Sequence, residues 1–329
     1  MFTRSAGRMR ENDAAWAAPN RVASMKEAVI LFALLLQRVP MKQLALLMAI
    51  FVLGGLGSMY HPFWAVLLYY LLAVLRPQFL WEWALPVEWR WSLFAALIVL
   101  FSLVVNLPRI LPRLRINTVA VLMIVYSGWL MMSVLNAYDP GTAQSFGMDI
   151  AKVLVMALIA TILIDSLWQV HALAVMLLLT LGYIAWEINS LYLIQSRLDV
   201  FHYGYGGLDN NGAGLMLAMG LPFAFAYGLI APHRWQRAVS WIIGLMILHA
   251  VLMTYSRGAM IAALLGVLWL LFNQRSRWQA VLVAVALCLA ISVLAGPEIR
   301  NRFISTLHYD TDGSAQSRFE SWSAAWKMA

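Results

Sequence analysis

The stretch AVLVAVALCLAISVLA, from Ala280 to Ala295, decides the fold of this chain. Its apolar residues cover every face of a helix, so no face of that helix is suited to water. A strand of an outer-membrane barrel is excluded, because such strands alternate apolar and polar residues. The stretch therefore predicts a helix surrounded by lipid or by other helices.

Similar runs recur along the whole chain. Of its 329 residues, 63% are hydrophobic and 12% are charged, whereas soluble domains carry about 25% charged residues. The mean hydropathy is +0.76. The predicted fold class is all-α, a polytopic transmembrane helical bundle of about ten spans with outer loop helices. The spans are placed near residues 43–58, 61–75, 92–107, 118–136, 150–165, 168–187, 210–230, 239–254, 259–272 and 280–296.

The net charge of +8 has a topological explanation. No basic soluble module presents it, so nucleic acid is not an expected partner. Arginines instead concentrate in three loops, which the positive-inside tendency places in the cytoplasm. Residues 76–91, 137–149, 187–209, the break at 254–258 and the tail 297–329 then lie outside. Nearly all the acidic residues after residue 40, Glu187 included, fall on or beside the outer face. The arginines are Arg109, Arg113, Arg115, Arg234, Arg237, Arg275 and Arg277.

The chain divides by composition into an extension and a membrane domain. Residues 1–40 are a basic N-terminal extension whose apolar stretch, Ala28–Leu36, is too short to cross a bilayer. Met25 and Met41 are alternative starts. Residues 41–329 form a single polytopic membrane domain, with N-terminal spans in 41–200 and the more informative motifs in 201–329.

An aromatic segment follows the second span. Residues 77–91 read PQFLWEWALPVEWRW. An aromatic belt at the membrane interface is the favoured interpretation, because Trp and Tyr concentrate at that depth. A platform that stacks sugar rings is the alternative.

The first candidate site segment is FHYGYGGLDNNGAG, residues 201–214. Asp209, Asn210 or Asn211 can cap the helix that follows, and the free N–H groups of that helix start can bind an anion. We therefore assign Asp209, Asn210 and Asn211 to substrate binding. A capped helix start without ligand is the alternative.

The second candidate is the break TYSRG, residues 254–258, inside an otherwise apolar region. An arginine near the membrane interior is costly and marks a functional candidate by default. Arg257 has a fork of donors that matches phosphate oxygens, and Ser256 lies beside it. A tight turn whose arginine reaches lipid headgroups is the alternative.

The third candidate lies in the tail. Ser317 and Glu320 form a capping-box pattern, which predicts that an outer helix begins there. Arg318 would then lie in its first turn, where a cation opposes the helix dipole, and this indicates an anionic partner. A surface salt bridge to Glu320 or Asp312 is the alternative. Phe319, Trp322 and Trp326 give this helix an apolar face for the membrane or for closing a cavity.

Other chemistry has little support in the sequence. Cys288 is the single cysteine, which leaves no disulfide framework, and no metal-ligand spacing or nucleophile elbow is present. We expect neither a metal nor another cofactor. His171 and His249 are expected to be hydrogen-bonded within the bundle, and Lys152 is expected to pair with Asp149.

Three stretches carry a resemblance to a known family: LDNNGAGLMLAMGLPF from residue 208, TYSRGAMIAAL from residue 254 and GSAQSRFESWSAAWKMA from residue 313. Together they resemble the O-antigen ligase and O-antigen polymerase superfamily, and most of all the exosortase-associated O-glycosylation ligases. Residues 41–80 are also similar to the start of members of that group, which favours Met41 as the ancestral start.

The resemblance implies a metal-independent glycosyltransferase of the bacterial inner membrane, multi-pass, with its active face in the periplasm. The donor would be an undecaprenyl-pyrophosphate-linked glycan. The acceptor would be a hydroxyl of a lipid A core, a polysaccharide or a protein. Arg257 and Arg318 would bind the donor pyrophosphate as catalytic residues, with Asn210, Asn211, Asp209, Ser256 and Ser317 binding substrate.

Family members continue past the equivalent of Trp326 into a segment with a histidine proposed as general base. None of the six histidines of this chain stands in that motif. Either the chain is C-terminally incomplete, a fragment or truncated product, or the full protein lacks this base, and we expect donor binding with impaired transfer. Two other functions remain open. One is a transporter or flippase for a lipid-linked or anionic solute, and the other is a non-catalytic partner in a polysaccharide-export complex.

Overall fold

A computed structural model describes residues 40–82, 84–86, 88–113, 117–195, 200, 204–273, 278, 281, 285, 289 and 313–328. The structure is 86% helical, and the described ranges contain no strand. The predicted all-α class is therefore confirmed. The N-terminal extension, residues 1–39, lies outside the described residues.

Eleven helices are described between Pro40 and Met328, joined mostly by short turns. They are α1 (Pro40–Tyr60), α2 (Phe63–Leu75), α3 (Pro77–Leu80), α4 (Trp91–Ile110), α5 (Thr118–Leu135), α6 (Pro140–Leu163), α7 (Leu167–Gln195), α8 (Asn210–Ile230), α9 (Arg234–Met253), α10 (Arg257–Phe272) and α11 (Gly313–Met328).

The helices are long and apolar enough to form a polytopic membrane bundle. Eight helical segments among the described residues can cross a membrane by length and composition, and α10 is a shorter apolar helix of 16 residues. These nine coincide with nine of the predicted spans. The remaining one, near 280–296, falls almost entirely outside the described residues.

Contacts divide the chain into two compact units. The N-terminal unit is Lys42–Leu181, and the C-terminal unit contains Gly182–Ala329, so the division falls within α7. In the N-terminal unit, α2, α4 and α6 surround a core, and α5 pairs with α6. The core residues are Ala65, Val66, Val99, Met156, Ala160 and Leu163.

The C-terminal unit is built on α8, which packs against both α9 and α10. Gly228 of α8 approaches the Trp241 ring of α9, and Gly244 of α9 approaches Phe225 of α8. These contacts define an antiparallel pair. Since α10 follows α9 after a sharp turn, it returns parallel to α8. Consequently α8 and α10 begin at the same end of this unit.

Several helix ends differ from the sequence prediction. The loop predicted at residues 137–149 is mostly helix, because Asp139 caps α6 by accepting hydrogen bonds from the N–H groups of Gly141 and Thr142. The Thr142 hydroxyl also donates to Asp139, and these bonds lower the pKa of this carboxyl. At its far end, α7 continues to Gln195. Glu187 was placed at the outer face, but it lies inside this helix.

Candidate functional site

The break between α9 and α10 is a buried turn held by several hydrogen bonds. Thr254 and Ser256 are 0% and 2% exposed. Thr254 Oγ1 donates to Val251 O at 2.7 Å and accepts from the Ser256 N–H at 3.3 Å. Tyr255 has φ of 52°, a left-handed conformation that is unusual for a bulky residue. This conformation reverses the chain within one residue.

Ser256 then starts α10. Its hydroxyl accepts from the N–H of Ala259 at 3.3 Å, as an N-cap does. Arg257 is the first helical residue and is half-buried. The predicted break at residues 254–258 is confirmed, and it places Arg257 at a helix N-terminus.

The segment before α8 is a tight glycine turn. The N–H of Tyr205 donates to Leu208 O at 2.9 Å, and the N–H of Leu208 donates to Tyr205 O at 3.1 Å. Gly204 has φ of 66°, and a Cβ on it would overlap the Leu208 carbonyl oxygen. Glycine is therefore required at this position. The turn delivers the chain to Asp209, the N-cap of α8, whose carboxylate accepts from the Gly212 N–H at 2.8 Å.

The two helix starts are joined by a side-chain hydrogen bond. Ser256 Oγ donates to Asn211 Oδ1 at 2.8 Å, and Asn210 Nδ2 makes a longer 3.5 Å contact to Thr254 O. Gly214 permits this approach, since a Cβ there would lie 2.7 Å from Ala259 Cβ and 2.8 Å from Thr254 Oγ1. Two segments that are about 45 residues apart in sequence thus form one structural group.

This group has the electrostatics of an anion site. Each helix start contributes roughly half a positive charge through its aligned peptide dipoles, and the two starts are adjacent. Arg257 adds its guanidinium at the α10 start. At the α8 start, the exposed Asp209 carboxylate offsets part of the field. Gly258, the second residue of α10, is exposed, and an added Cβ there would meet nothing within 4 Å.

Of the seven site residues named from sequence, the structure brings five together: Asp209, Asn210, Asn211, Ser256 and Arg257. The other two lie on α11. Ser317 and Arg318 belong to an exposed stretch, residues 316–327. That they meet the other five stays a prediction.

The predicted start of α11 is wrong. The helix begins at Gly313, so Ser317 is an interior residue whose carbonyl accepts from Ser321 Oγ at 2.8 Å. Arg318 is consequently beyond the first turn, and the helix-dipole argument for an anionic partner loses its basis. The aromatic face is present, since Phe319, Trp322 and Trp326 are 53%, 66% and 85% exposed.

Sequence reasoning missed a polar group close to the α8 turn. In α7, Tyr183 Oη donates to Glu187 Oε1 at 2.7 Å. Burial, followed by the charge of Glu187 and by Tyr183, raises the pKa of Tyr205 well above its usual range. An acid inside an apolar helical stretch was the available signal, but the predicted span ended at Glu187, which placed this residue at the outer face.

Sequence reasoning also missed Asn189, the hydrogen-bond partner of His249 in the bundle. The Nδ1 of His249 is 2.6 Å from Asn189 Oδ1, and Asn189 Nδ2 donates to Met246 O at 3.0 Å. The ring of Tyr192 packs edge-on against His249 at 5.7 Å. The expectation that His249 is a hydrogen-bonded bundle residue is confirmed. The expected pair of Lys152 and Asp149 is also present, at 2.8 Å on the exposed surface.

No group of three or more His, Cys, Asp or Glu residues within the described ranges is arranged to hold a metal ion. The polar groups of the site are guanidinium, amide, hydroxyl and helix N–H groups with one carboxylate. Such a set suits phosphate oxygens and sugar hydroxyls.

Comparison with known proteins agrees with this chemistry. Residues 241–329 match a family model described as O-antigen ligase. Residues 41–189 match a model described as a family of unknown function. No curated protein sequence and no solved structure matches the chain. The match over residues 241–329 supports the O-antigen ligase superfamily and a glycan-transferring function, and it contains the break, Arg257 and all of α11.

Proposed function

We propose that this protein transfers a glycan from an undecaprenyl-pyrophosphate donor to a hydroxyl acceptor at the periplasmic face of the bacterial inner membrane. One observation carries the proposal. The starts of α8 and α10 are joined by the Ser256–Asn211 hydrogen bond, so two helix dipoles and Arg257 converge at one end of the C-terminal unit.

The diphosphate is the group that this arrangement would bind. Arg257 donates to its oxygens in a fixed fork, and the positive end of the α10 dipole adds a favourable field from the same side. As the bond between the anomeric carbon and the phosphate oxygen breaks, negative charge grows on the diphosphate. Groups that stabilise this charge lower the barrier for transfer.

The acceptor supplies the other half of the reaction. Its hydroxyl oxygen attacks the anomeric carbon, the glycosidic bond forms, and undecaprenyl pyrophosphate leaves. The hydroxyl proton must pass to a base, which the described residues do not assign. Arg318 and Ser317 of α11 would contribute if this helix closes over the donor, as the family resemblance implies.

Donor binding tests this proposal. Arg257→Gln removes one charged partner of the diphosphate, which is worth about 1.5–3 kcal/mol, or roughly 10- to 150-fold in affinity. Arg234→Gln, at the start of α9, is the matched control, because it removes the same charge from the opposite end of α9. We expect weakened binding of undecaprenyl pyrophosphate to purified protein only for Arg257→Gln. Equal binding by both variants would exclude Arg257 from the site.

A reconstituted assay distinguishes a glycosyltransferase from a transporter or flippase. Proteoliposomes containing the protein, a lipid-linked glycan and a glycolipid acceptor should form the glycan-bearing acceptor. Movement of the lipid-linked glycan between leaflets without product would favour transport instead. A non-catalytic partner protein would show neither product formation nor movement of the lipid-linked glycan.

A further inference from the structure

The N-terminal unit contains a second group of polar residues, far in sequence from the α8–α10 site. Among the residues that the structure describes, five buried side-chain atoms in this unit have no hydrogen-bond partner; one is Ser166 Oγ, just before α7, and the other four lie in or near residues 76–91. These four are Gln43 Oε1, Arg76 Nη1, Gln78 Oε1 and Trp91 Nε1. Buried polar atoms are rarely left unpaired, and each such atom calls for an explanation.

Two of these residues are deeply buried. Trp91 is 3% exposed and Gln78 is 8% exposed. A buried donor or acceptor without a partner costs free energy comparable to a lost hydrogen bond. Stability alone would favour apolar residues at both positions, so a polar function is the physical reason to retain them.

Helix packing brings the four residues to the same end of the unit. Gly54 of α1 approaches Leu68 of α2, and Gly57 approaches Trp64, so the two helices are antiparallel. Gln43 lies about 16 Å before Gly54 along α1, which is level with the segment that follows α2. Arg76 and Gln78 belong to that segment.

Trp91 belongs to the same end. It is the first residue of α4, and its ring is 5.8 Å from Phe51 of α1. Since α4 also packs against α2, its first turn is close to the end of α2. These four of the five orphaned atoms are therefore grouped by the fold, and each comes from an element that begins or ends there.

Aromatic rings line this end of the unit. The Arg76 guanidinium lies 5.0 Å above the Phe79 ring. Trp89, which is 49% exposed, has its ring 5.5 Å from the ring of Trp91. Arg76 also has φ of 49°, so the backbone turns sharply where the polar groups collect.

The set of unpaired atoms selects the ligand chemistry. Arg76 Nη1 and Trp91 Nε1 are donors, whereas Gln43 Oε1 and Gln78 Oε1 are acceptors. A phosphate would leave the two acceptors unpaired, and an acyl chain would pair with none of the four. A sugar hydroxyl both donates and accepts, and the C–H face of a pyranose ring packs on an aromatic ring.

We propose that this end of the N-terminal unit is a carbohydrate-binding site, in which a pyranose residue stacks on Trp89 and bonds to Gln78 and Trp91. The site goes beyond the proposed transferase chemistry, and only the choice of glycan pools in its test rests on the proposed function. It gives residues 76–91 a function that an aromatic interface belt does not supply.

The test measures glycan binding to the purified full chain by saturation-transfer NMR. The probe is a panel of lipid-free oligosaccharides containing neutral, amino and acidic pyranoses, with core-type fragments and repeat-unit fragments kept as separate pools. We expect binding by at least one pool, and the pool identifies whether the site serves an acceptor core or a repeat-unit chain. Absence of binding by both pools would overturn the proposal.

Two variants test whether glycan binding depends on the unpaired atoms of Gln78 and Trp91. Trp91→Phe retains the ring against Phe51 but removes the N–H, and Gln78→Met retains the length but removes the acceptor. Each should weaken glycan binding about tenfold. Trp129→Phe is the control, because Trp129 is 75% exposed on α5. Unchanged glycan binding by Trp91→Phe and Gln78→Met would assign these atoms to bound water and overturn the site.

The same variants keep the two sites distinguishable. Removing an unpaired buried atom should leave the melting temperature unchanged or raise it, so loss of binding cannot be attributed to unfolding. Arg257→Gln should retain glycan binding, and Trp91→Phe should retain binding of undecaprenyl pyrophosphate. Loss of both ligands by Trp91→Phe would contradict a separate site.

Discussion

Tyr255 and Ser256 show how much of the site depends on single residues. Tyr255 takes a left-handed conformation at the break, which costs of order 1–3 kcal/mol. Ser256 compensates by capping α10 and by donating to Asn211. Its one hydroxyl therefore connects local helix formation to the packing of α8 against α10.

Ser256→Ala is expected to destabilise the protein by about 2 kcal/mol. Loss of the cap costs about 1 kcal/mol, and the Asn211 oxygen loses its partner at a comparable cost. Ser127→Ala is the control, because its exposed hydroxyl only bonds the preceding turn of α5. Melting temperatures of the two variants in one detergent measure the difference. Equal temperatures would mean that the Ser256–Asn211 bond does not stabilise the unit.

Asp209 is expected to oppose binding of the anion, although the sequence assigned it to substrate binding. Asn caps a helix about as well as Asp, so Asp209→Asn should keep α8 intact and remove one negative charge. A charge near a helix start is worth about 0.3–1 kcal/mol. We therefore expect undecaprenyl pyrophosphate to bind roughly two- to fivefold more tightly. Weaker binding would instead give Asp209 a direct role toward the glycan.

At the scale of elements, the contact between α8 and α10 depends on the absence of one side chain. Gly214 faces Ala259 and Thr254, where an added Cβ would lie closer than real Cβ contacts allow. Neither neighbour is a flexible side chain that can move away. The helices must separate to accept even a methyl group.

Gly214→Ala should therefore cost about 1–3 kcal/mol, which is typical of overpacking, and should weaken donor binding as the two helix starts separate. Gly258→Ala is the matched control for stability, since it adds the same methyl group to open space at the start of α10. Thermal unfolding of both variants tests this. A Gly214→Ala variant as stable as Gly258→Ala would contradict the close approach.

The aromatic face of α11 gives a prediction of its own. Phe319, Trp322 and Trp326 are exposed together, with Phe319 and Trp322 packed edge-on at 5.6 Å. Aromatic side chains on an exposed helix favour the membrane interface. A bimane label at Trp322→Cys, on a Cys288→Ala background, should be quenched by lipids brominated near the headgroup. A label at Glu320→Cys should be quenched less. Equal quenching would exclude a fixed orientation of α11 on the bilayer.

The helices themselves were largely predictable from sequence. Apolar runs that fill every helical face identify the spans, and TYSRG identified the break at its correct position. The ends were less predictable, because Gly141 and Thr142 look like loop residues until Asp139 is seen to cap them. Similarly, Ser317 and Glu320 match a capping box, yet α11 begins at Gly313. Short capping patterns cannot show whether the helix has already started.

The site was predictable residue by residue but not as a unit. Asn211 and Ser256 each stood in a recognisable motif, whereas the bond between them depends on how α8 packs against α10. The partners of His249 and the orphaned atoms of Gln78 and Trp91 left no sequence signal. Contacts between distant segments are decided by packing, which periodicity does not encode.

At the scale of the whole molecule, the proposed donor site must face the periplasm. The arginine loops predict that residues 204–214 and 254–258 are outside. Single cysteines at Gly206, Gly258 and Ser314, on a Cys288→Ala background, should react with a membrane-impermeant reagent in cells with a permeabilised outer membrane. Labelling of any one only in inverted vesicles would contradict the shared outer site.

The most direct measurement is photocrosslinking with an undecaprenyl pyrophosphate that carries a diazirine on the isoprene unit nearest the diphosphate. The crosslinked protein is digested and the adducts are located by mass spectrometry. Our account predicts adducts within both residues 204–214 and residues 254–258, and their loss in Arg257→Gln but not in Arg234→Gln. Adducts confined to other helices would contradict the central claim that the joined starts of α8 and α10 bind the donor.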